Sequence, residues 1–317
     1  MLSTKKIGGK LGKYILFIFL AVFCVVLCVT TSGFLTEKNI INVLRQVSYN
    51  GVIAVGMTFV IITGNIDLSV GGVVGLAAIV ACDFAHPGEY PLIIPILVAL
   101  GIGALVGLIN GIGIAYGHVP AFIMTLGTNT ILRGVIMLYN NGKPVLNLSE
   151  QYQAIGSGYL GKIPIPVIIL IAVLLLGWFI LNKTRFGRHV LAVGGNEQAA
   201  RVSGINTKLV KITVYIMSGI FSAIAGMIIS ARVNAGSPTL GTGYENDAIA
   251  AAVIGGTSMM GGQGSMIGTI GGILIIGVMN NGLDLLNVSS YYQQVAKGII
   301  IIAAVLFDML STSRKSK

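Results

Sequence analysis

Apolar runs of near membrane-spanning length follow one another along almost the whole sequence, and this repetition constrains the fold more than any other feature. They cover residues 14–31, 48–64, 69–84, 91–116, 119–140, 163–181, 209–232, 245–262, 264–284 and 290–310. A helix that crosses the hydrocarbon core needs about 20 mainly apolar residues, within a range of about 17–25. Only 9% of the 317 residues are charged, against about 25% in a soluble domain. Such a chain cannot clothe itself in water-compatible surface. The expected fold is an all-α polytopic membrane bundle of about ten transmembrane helices, with eight or nine spans plus broken or re-entrant pieces as the alternative count.

The charges that remain are sorted along the chain. Lys5, Lys6, Lys10 and Lys13 precede the first run; Lys183, Arg185, Arg188, Arg201, Lys208 and Lys211 share one polar segment; Arg314, Lys315 and Lys317 end the sequence. Basic clusters beside spans mark cytoplasmic faces. The expected organisation is therefore a cytoplasmic tail at 1–13, a single transmembrane domain at 14–310 with a cytoplasmic loop at 182–208, and a cytoplasmic tail at 311–317. An even number of spans returns both basic ends to one side. The net charge of +10 does not imply nucleic acid, because no basic patch is interleaved with aromatics on a soluble domain. The first run lacks a small-x-small cleavage site in "VTTSGFLT" and reads as a retained helix. "LTEKNIINVLRQ" reads as a short amphipathic helix lying in the interface, and 141–162 as an outer connection rich in turn residues. Cys24, Cys28 and Cys82 show no metal-ligand spacing and read as small apolar packers.

Glycine is the second signal, with 44 in the chain. In lipid, small residues let helix backbones approach closely. "ITGNIDLSVGG" near residue 65 is echoed by "IGGTSMMGGQG" near residue 260, an internal pseudo-symmetry of Gly-interrupted segments of the kind found in transporters. In the second echo a helix starting near Glu245 reaches only about 15 Å by Ile254 at 1.5 Å per residue. It either continues to Met260 or breaks at Gly255 and Gly256. A break in lipid is tolerated only where backbone is buried in protein or lines a cavity, so these two glycines are expected beside a solute pathway.

No catalytic group, metal site or cofactor is expected. The chain has no G-x-x-x-x-G-K-[ST], no H-E-x-x-H and no G-x-S-x-G, so any uphill transport draws on an ion gradient or on a partner. Charged and amide groups inside spans are costly and point by default to function. Thr125, Asn129 and Arg133 are spaced by four and form one polar stripe; Asn280 and Asp284 form a second, and Gln293 and Lys297 a third. Each stripe either lines a polar solute path or hydrogen-bonds neighbouring helices, or Arg133 and Lys297 snorkel to an interface. Asp67 is expected to cap the third helix, and Asp284 to pair with Lys297. In the basic segment, Gln198-Ala199-Ala200-Arg201-Val202-Ser203-Gly204 follows Asn196 and Glu197. A short helix there, with Glu197 favourable in its first turn and Gly204 as a left-handed cap, has alanines small enough to seat in a partner's groove; an ordinary surface loop is the other reading.

Five longer blocks carry a resemblance: "GMTFVIITGNIDLSVGG", "AFIMTLGTNTILRGV", "TRFGRHVLAVGGNEQAARVSGIN", "GTGYENDAIAAAVIGGTS" and "NNGLDLLNVSSYYQ". From about residue 38 to 310 the chain resembles the ribose/monosaccharide ABC importer permease family. The resemblance implies a bacterial inner-membrane permease of about ten helices per subunit in a homodimeric or pseudo-dimeric channel, with a second copy as the homodimer partner. It implies two further partners, an ATPase with two nucleotide-binding domains and a periplasmic or extracellular sugar-binding protein. Residues 196–204 resemble the family's coupling loop, with Gln198 where glutamate often stands. A homodimer would place Gly255 and Gly256 near its axis. The sugar favoured is ribose; another sugar or sugar-like signal, or an ion-coupled secondary transporter acting alone, are the alternatives.

Overall fold

Helix follows apolarity almost throughout the computed structural model, which describes residue 18 and residues 20–313. The predicted tail at 1–13 and the last four residues of the 311–317 tail lie outside the described residues. Helix α1 spans Leu20–Thr30. It is followed by α2 (Glu37–Ile62), α3 (Val70–Asp83), α4 (Ile93–Ala115), α5 (Ala121–Tyr139) and α6 (Glu150–Ser157). A two-residue hairpin, β1 (Tyr159–Leu160) and β2 (Ile163–Pro164), leads into α7 (Ile165–Lys183), α8 (Arg185–Gly195) and α9 (Glu197–Val202). The chain ends in α10 (Thr207–Val233), α11 (Tyr244–Ile254), α12 (Met266–Leu285) and α13 (Ser290–Ser313). The fold is an all-α membrane bundle. Among the described residues six helices, α2, α4, α5, α7, α10 and α12, are long and apolar enough to cross a bilayer.

Burial sorts the helices into two shells. Of the most apolar window of α2, 89% is buried, against 17% for α5. Helices α2, α10 and α12 therefore form the interior, while α4, α5 and α7 turn leucine, isoleucine and valine outward, as a lipid-facing helix must. A close crossing joins α4 to α10 at Gly103 and Gly219, where an added Cβ on either glycine would meet the other's carbonyl.

Four expectations about the elements change. The stretch read as an interfacial helix is the first part of α2, whose N-cap Thr36 accepts from the Asn39 amide at 3.4 Å. No Gly or Pro interrupts the helix between Asn39 and Asn50, and Asn39 finds a partner inside the bundle: Asn39 and Asn281 exchange amide hydrogen bonds at 2.9 and 2.7 Å. The run at 245–262 is helical only to Ile254. The turn-rich connection 141–162 holds α6, whose Tyr152 is fully buried and hydrogen-bonded to Ser230 of α10 at 2.9 Å. The basic loop at 182–208 is largely two helices, α8 and α9.

The two Gly-interrupted echoes differ in order. The first is long then short, with 26 residues in α2 and 14 in α3. The second is short then long, with 11 in α11 and 20 in α12. At 1.5 Å per residue α3 and α11 reach about 21 and about 16 Å, short of a core of about 30 Å. The two breaks lie against each other: Gly262 donates its amide to the Ile62 carbonyl at the end of α2 at 2.8 Å, and the Thr58 hydroxyl of α2 and Thr269 hydroxyl of α12 are 2.9 Å apart. Backbone exposed by each break is thus covered by the other.

Candidate coupling segment and translocation pathway

The basic segment 182–208, the candidate for coupling, is built from caps. Thr184 accepts from the Gly187 amide at 3.2 Å and starts α8. Asn196 ends α8 and accepts from the Ala199 amide at 2.9 Å, which starts α9. Gly204, at φ +83°, follows the C-cap Ser203 in the left-handed region. These are the start and stop that the sequence indicates; α8 was not legible there because its three arginine and histidine residues mask an apolar face formed by Val190 and Val193, both buried. Glu197 binds Lys211 of α10 at 2.7 Å and stands 3.6 Å from Arg201. Burial works to raise the Glu197 carboxyl, but the Lys211 hydrogen bond and charge, with Thr207 and Arg201, hold it below its ordinary value. Ala200 is buried, whereas Gln198, Ala199 and Arg201 face outward beside Val202, which is 91% exposed.

The segment touches the broken helices directly. A Cβ on Gly194 would collide with the Ile62 carbonyl and the Gly262 amide, and one on Gly262 would meet Gly195. Gly262 sits at φ +72°, a conformation that L side chains rarely adopt. The end of α8 therefore packs backbone to backbone on the ends of α2 and of the α11–α12 break. Gly255 is the C-cap of α11 and is pressed on Gly268 of α12, so α11 is both broken and close-packed at this position. Gly256 at φ +84° turns the chain away with no atom near its missing side chain.

The first polar stripe faces α3 rather than lipid. Thr125 is buried and donates to its own helix at the Ala121 carbonyl, 2.8 Å away. Asn129 lies over Gly72, with its Oδ1 buried and lacking a hydrogen-bond partner. Arg133 does not snorkel: it donates to the Leu240 carbonyl at 2.9 Å, and its guanidinium shares the space above Gly71 with the Glu245 carboxylate.

The second and third stripes meet around Asp247, in the first turn of α11. Lys297 donates to Asp247 Oδ2 at 3.0 Å and stands 2.9 Å from Oδ1. Asn280 donates to the same Oδ2 at 3.2 Å. The expected Asp284–Lys297 pair is not formed. Asp284 is exposed at the end of α12 and accepts from Gln293 at 2.8 Å, because one further turn carries it beyond the reach of Lys297. The signal that could have found the pair was the buried register of α11, where Asp247 begins the run of residues facing α12. Asp67 also departs from its expected role. Ser69 holds the cap position of α3, while the fully buried Asp67 accepts from the Ser69 amide at 2.9 Å, the Ser69 hydroxyl at 2.6 Å and the Ser218 hydroxyl at 2.7 Å.

Between α11 and α13 the Asp247–Lys297 pair opens on a cavity of about 680 Å³, also lined by Tyr244, Glu245, Asn246, Gln293 and Gln294. A buried acid with a half-buried base costs too much in hydrocarbon to face lipid, so this hollow is expected to face water or protein.

The chain is 43% identical to the ribose import permease protein RbsC of Haemophilus influenzae, over 99% of this chain and all of that protein. It is 46% identical to the protein of the same name in Bacillus subtilis, over 96% of this chain and 92% of that one. The xylose transport system permease protein XylH of Haemophilus influenzae is 37% identical over 97% and 98%. No solved structure matches. Residues 39–305 match the family described as branched-chain amino acid transport system / permease component, and the chain belongs to that permease family.

Proposed function

We propose that this chain is the non-catalytic membrane subunit of an ATP-driven ABC importer that moves a monosaccharide, ribose, across a bacterial inner membrane. The observation that carries this reading is identity of 43–46% along nearly the whole chain to ribose import permeases, above the 37–40% to xylose and galactose permeases. On this reading a second copy completes the pathway and a binding protein delivers the sugar at the end where α11 and α13 begin. An ATPase with two nucleotide-binding domains seats the outward face of α9, and the end of α8 passes its movement to the breaks at Gly262 and Gly255. Thr125, Asn129, Arg133, Asn280 and Asp284 flank the route, most of them holding its helices together. Both chain termini and α8–α9 are cytoplasmic.

Uptake of ribose into proteoliposomes tests it. With the ATPase and binding protein supplied, uptake requires ATP. Uptake by the chain alone under a proton or sodium gradient would overturn the reading. Removing Ala199–Gly204 should abolish ATPase association while insertion continues, and unchanged uptake would show that the coupling assignment is wrong.

A further inference from the structure

Where α2 begins, a second cavity of about 710 Å³ opens between the α1–α2 connection, the start of α2, the β1–β2 hairpin and the end of α12. Lys38 and Arg45 line it together, two turns apart and so on one face of α2. Among the described residues neither cation forms an ion pair. Glu37 is the one acid in the lining, so the cavity keeps a net positive charge. The positive end of the 26-residue α2 adds to that field, and a third cation, Arg232, borders it by donating to Asn42 Oδ1. Arg45 is already held in place: it donates to the Ser157 carbonyl at 2.6 Å, and its guanidinium lies 4.9 Å from the centre of the Tyr159 ring. A preset guanidinium beside a lysine without a counter-charge asks for an anion.

The depth of the cavity narrows the class. Helix α7 turns Ile171, Leu175, Leu176 and Phe179 outward, and its 19 residues reach about 28 Å at 1.5 Å per residue, close to the core thickness of about 30 Å. Its two ends therefore mark the two edges of the hydrocarbon. At the far end Lys183 lies 5.5 Å over the Trp178 ring, the pairing of an aromatic and a base that anchors helices at an interface. At the near end the Ile165 amide donates to the Gly158 carbonyl at 3.0 Å, and Gly158 stands between the two residues that hold Arg45. The cavity thus sits at the level of the lipid headgroups. Beside its basic face, Ile40 and Leu44 are exposed one turn apart on α2, and Leu160 is exposed on the hairpin. A soluble anion would leave that apolar strip uncovered; a phospholipid covers both, with its phosphate on the cations and its chains on the strip.

We infer that this cavity seats the headgroup of an anionic phospholipid from the leaflet at the end of the bundle where α2 begins. Lys38 and Arg45 hold the phosphate, Tyr159 walls the headgroup, and an acyl chain descends past Leu44. The bound lipid ties the start of α2 to the hairpin that leads into α7. The inference stands on the cavity and its depth, and is independent of what the protein transports.

Fluorescence quenching in vesicles tests it on the full chain without any partner. Trp178, the single tryptophan of the sequence, is replaced by phenylalanine, and Tyr159→Trp puts a reporter in the cavity that keeps an aromatic face for Arg45. The chain is reconstituted in phosphatidylcholine with rising fractions of either phosphatidylglycerol or phosphatidylcholine brominated next to the headgroup. Half-maximal quenching should need about fivefold less of the anionic lipid, the advantage expected of one net cation at an anionic headgroup. Millimolar inorganic phosphate should leave both curves where they are. Lys38→Gln/Arg45→Gln should abolish the preference. Lys38→Gln alone, at an exposed side chain that the fold does not need, should bring the two lipids within about twofold, and it decides the matter if the double variant fails to insert. Equal quenching by the two lipids in the parent would overturn the inference and leave the cavity to an acidic protein segment. Relief of quenching by inorganic phosphate would assign the site to a soluble anion instead. A preference that survives the loss of Lys38 would show that the anionic lipid is held elsewhere.

Discussion

The break after α2 and the break before α12 meet each other, yet they are held by different chemistry. Between Thr63 and Ser69 the chain is clamped by side chains. Asp67 gathers three donors from Ser69 and Ser218, Asn65 bonds the Thr63 carbonyl at 3.1 Å, and Asn110 extends the network to Ser69 at 2.9 Å. Between Gly255 and Ser265 there is no charged residue, and the buried Thr257 hydroxyl lacks a hydrogen-bond partner. Here the absence of side chains does the holding: Gly261 and Gly262 let the backbone lie on Gly64, Gly194 and Gly195. A clamp of hydrogen bonds fixes one arrangement. A smooth contact of backbone on backbone can slide without leaving a charge unpaired. On this contrast the second break, tied to the first by the Gly262–Ile62 hydrogen bond at 2.8 Å, is the one expected to move, and the first its anchor.

The sharpest way to break that comparison is to add bulk to the sliding contact. Gly194→Val places a side chain against the Ile62 carbonyl with no space to receive it, and should remove about 4 kcal/mol or more, read as loss of folded protein or of ATP-dependent uptake. Gly195→Ala, with no atom near its missing side chain, should behave as wild type. Equal behaviour of the two would show that the α8 contact is not close-packed.

The next effect tests the charged floor. Lys297→Met strands Asp247 and should cost about 3–5 kcal/mol, most of it recovered when Asp247→Asn is added. Reversible unfolding in mixed micelles measures both. A single variant as stable as the double would mean that the pair is already open to water.

A smaller loss is expected at the anchor. Asp67→Asn keeps one acceptor and loses the other, for about 1–3 kcal/mol, and Ser218→Ala leaves one acceptor valence empty for about 1 kcal/mol. If Asp67→Asn were stable but changed the rate of transport, the first break and not the second would be the moving part.

The smallest effect belongs to Glu197. Its pair with Lys211 is partly exposed, so Glu197→Gln should cost about 0–1 kcal/mol after solvent screening. Because the folded carboxyl is held below its ordinary value, its contribution is complete above the unfolded carboxylate range and disappears as pH falls through the folded one. Thermal unfolding of wild type and Glu197→Gln should therefore converge on acidification. Divergence at low pH would reverse the sign of the assignment.

Much of this was written in local patterns. Apolar runs and sparse charge dictate a membrane bundle, since hydrocarbon leaves the backbone no other solution. Asn196, Glu197 and Gly204 mark both ends of α9, because capping is local chemistry. The stop of α11 at Gly255 was one of two readings, and the choice fell to packing on Gly268, a contact between segments that sequence spacing does not reveal. The partner of Lys297 was misplaced for the same reason: Asp284 and Asp247 are both acids within reach on paper, and only the way α11 inserts between α12 and α13 selects Asp247. The sequence by itself determined the solvent, the class of fold and the caps, which depend on neighbours a few residues apart. Tertiary structure alone decided which glycines touch, which charges pair and where a cavity opens, because those depend on contacts between residues far apart in the chain.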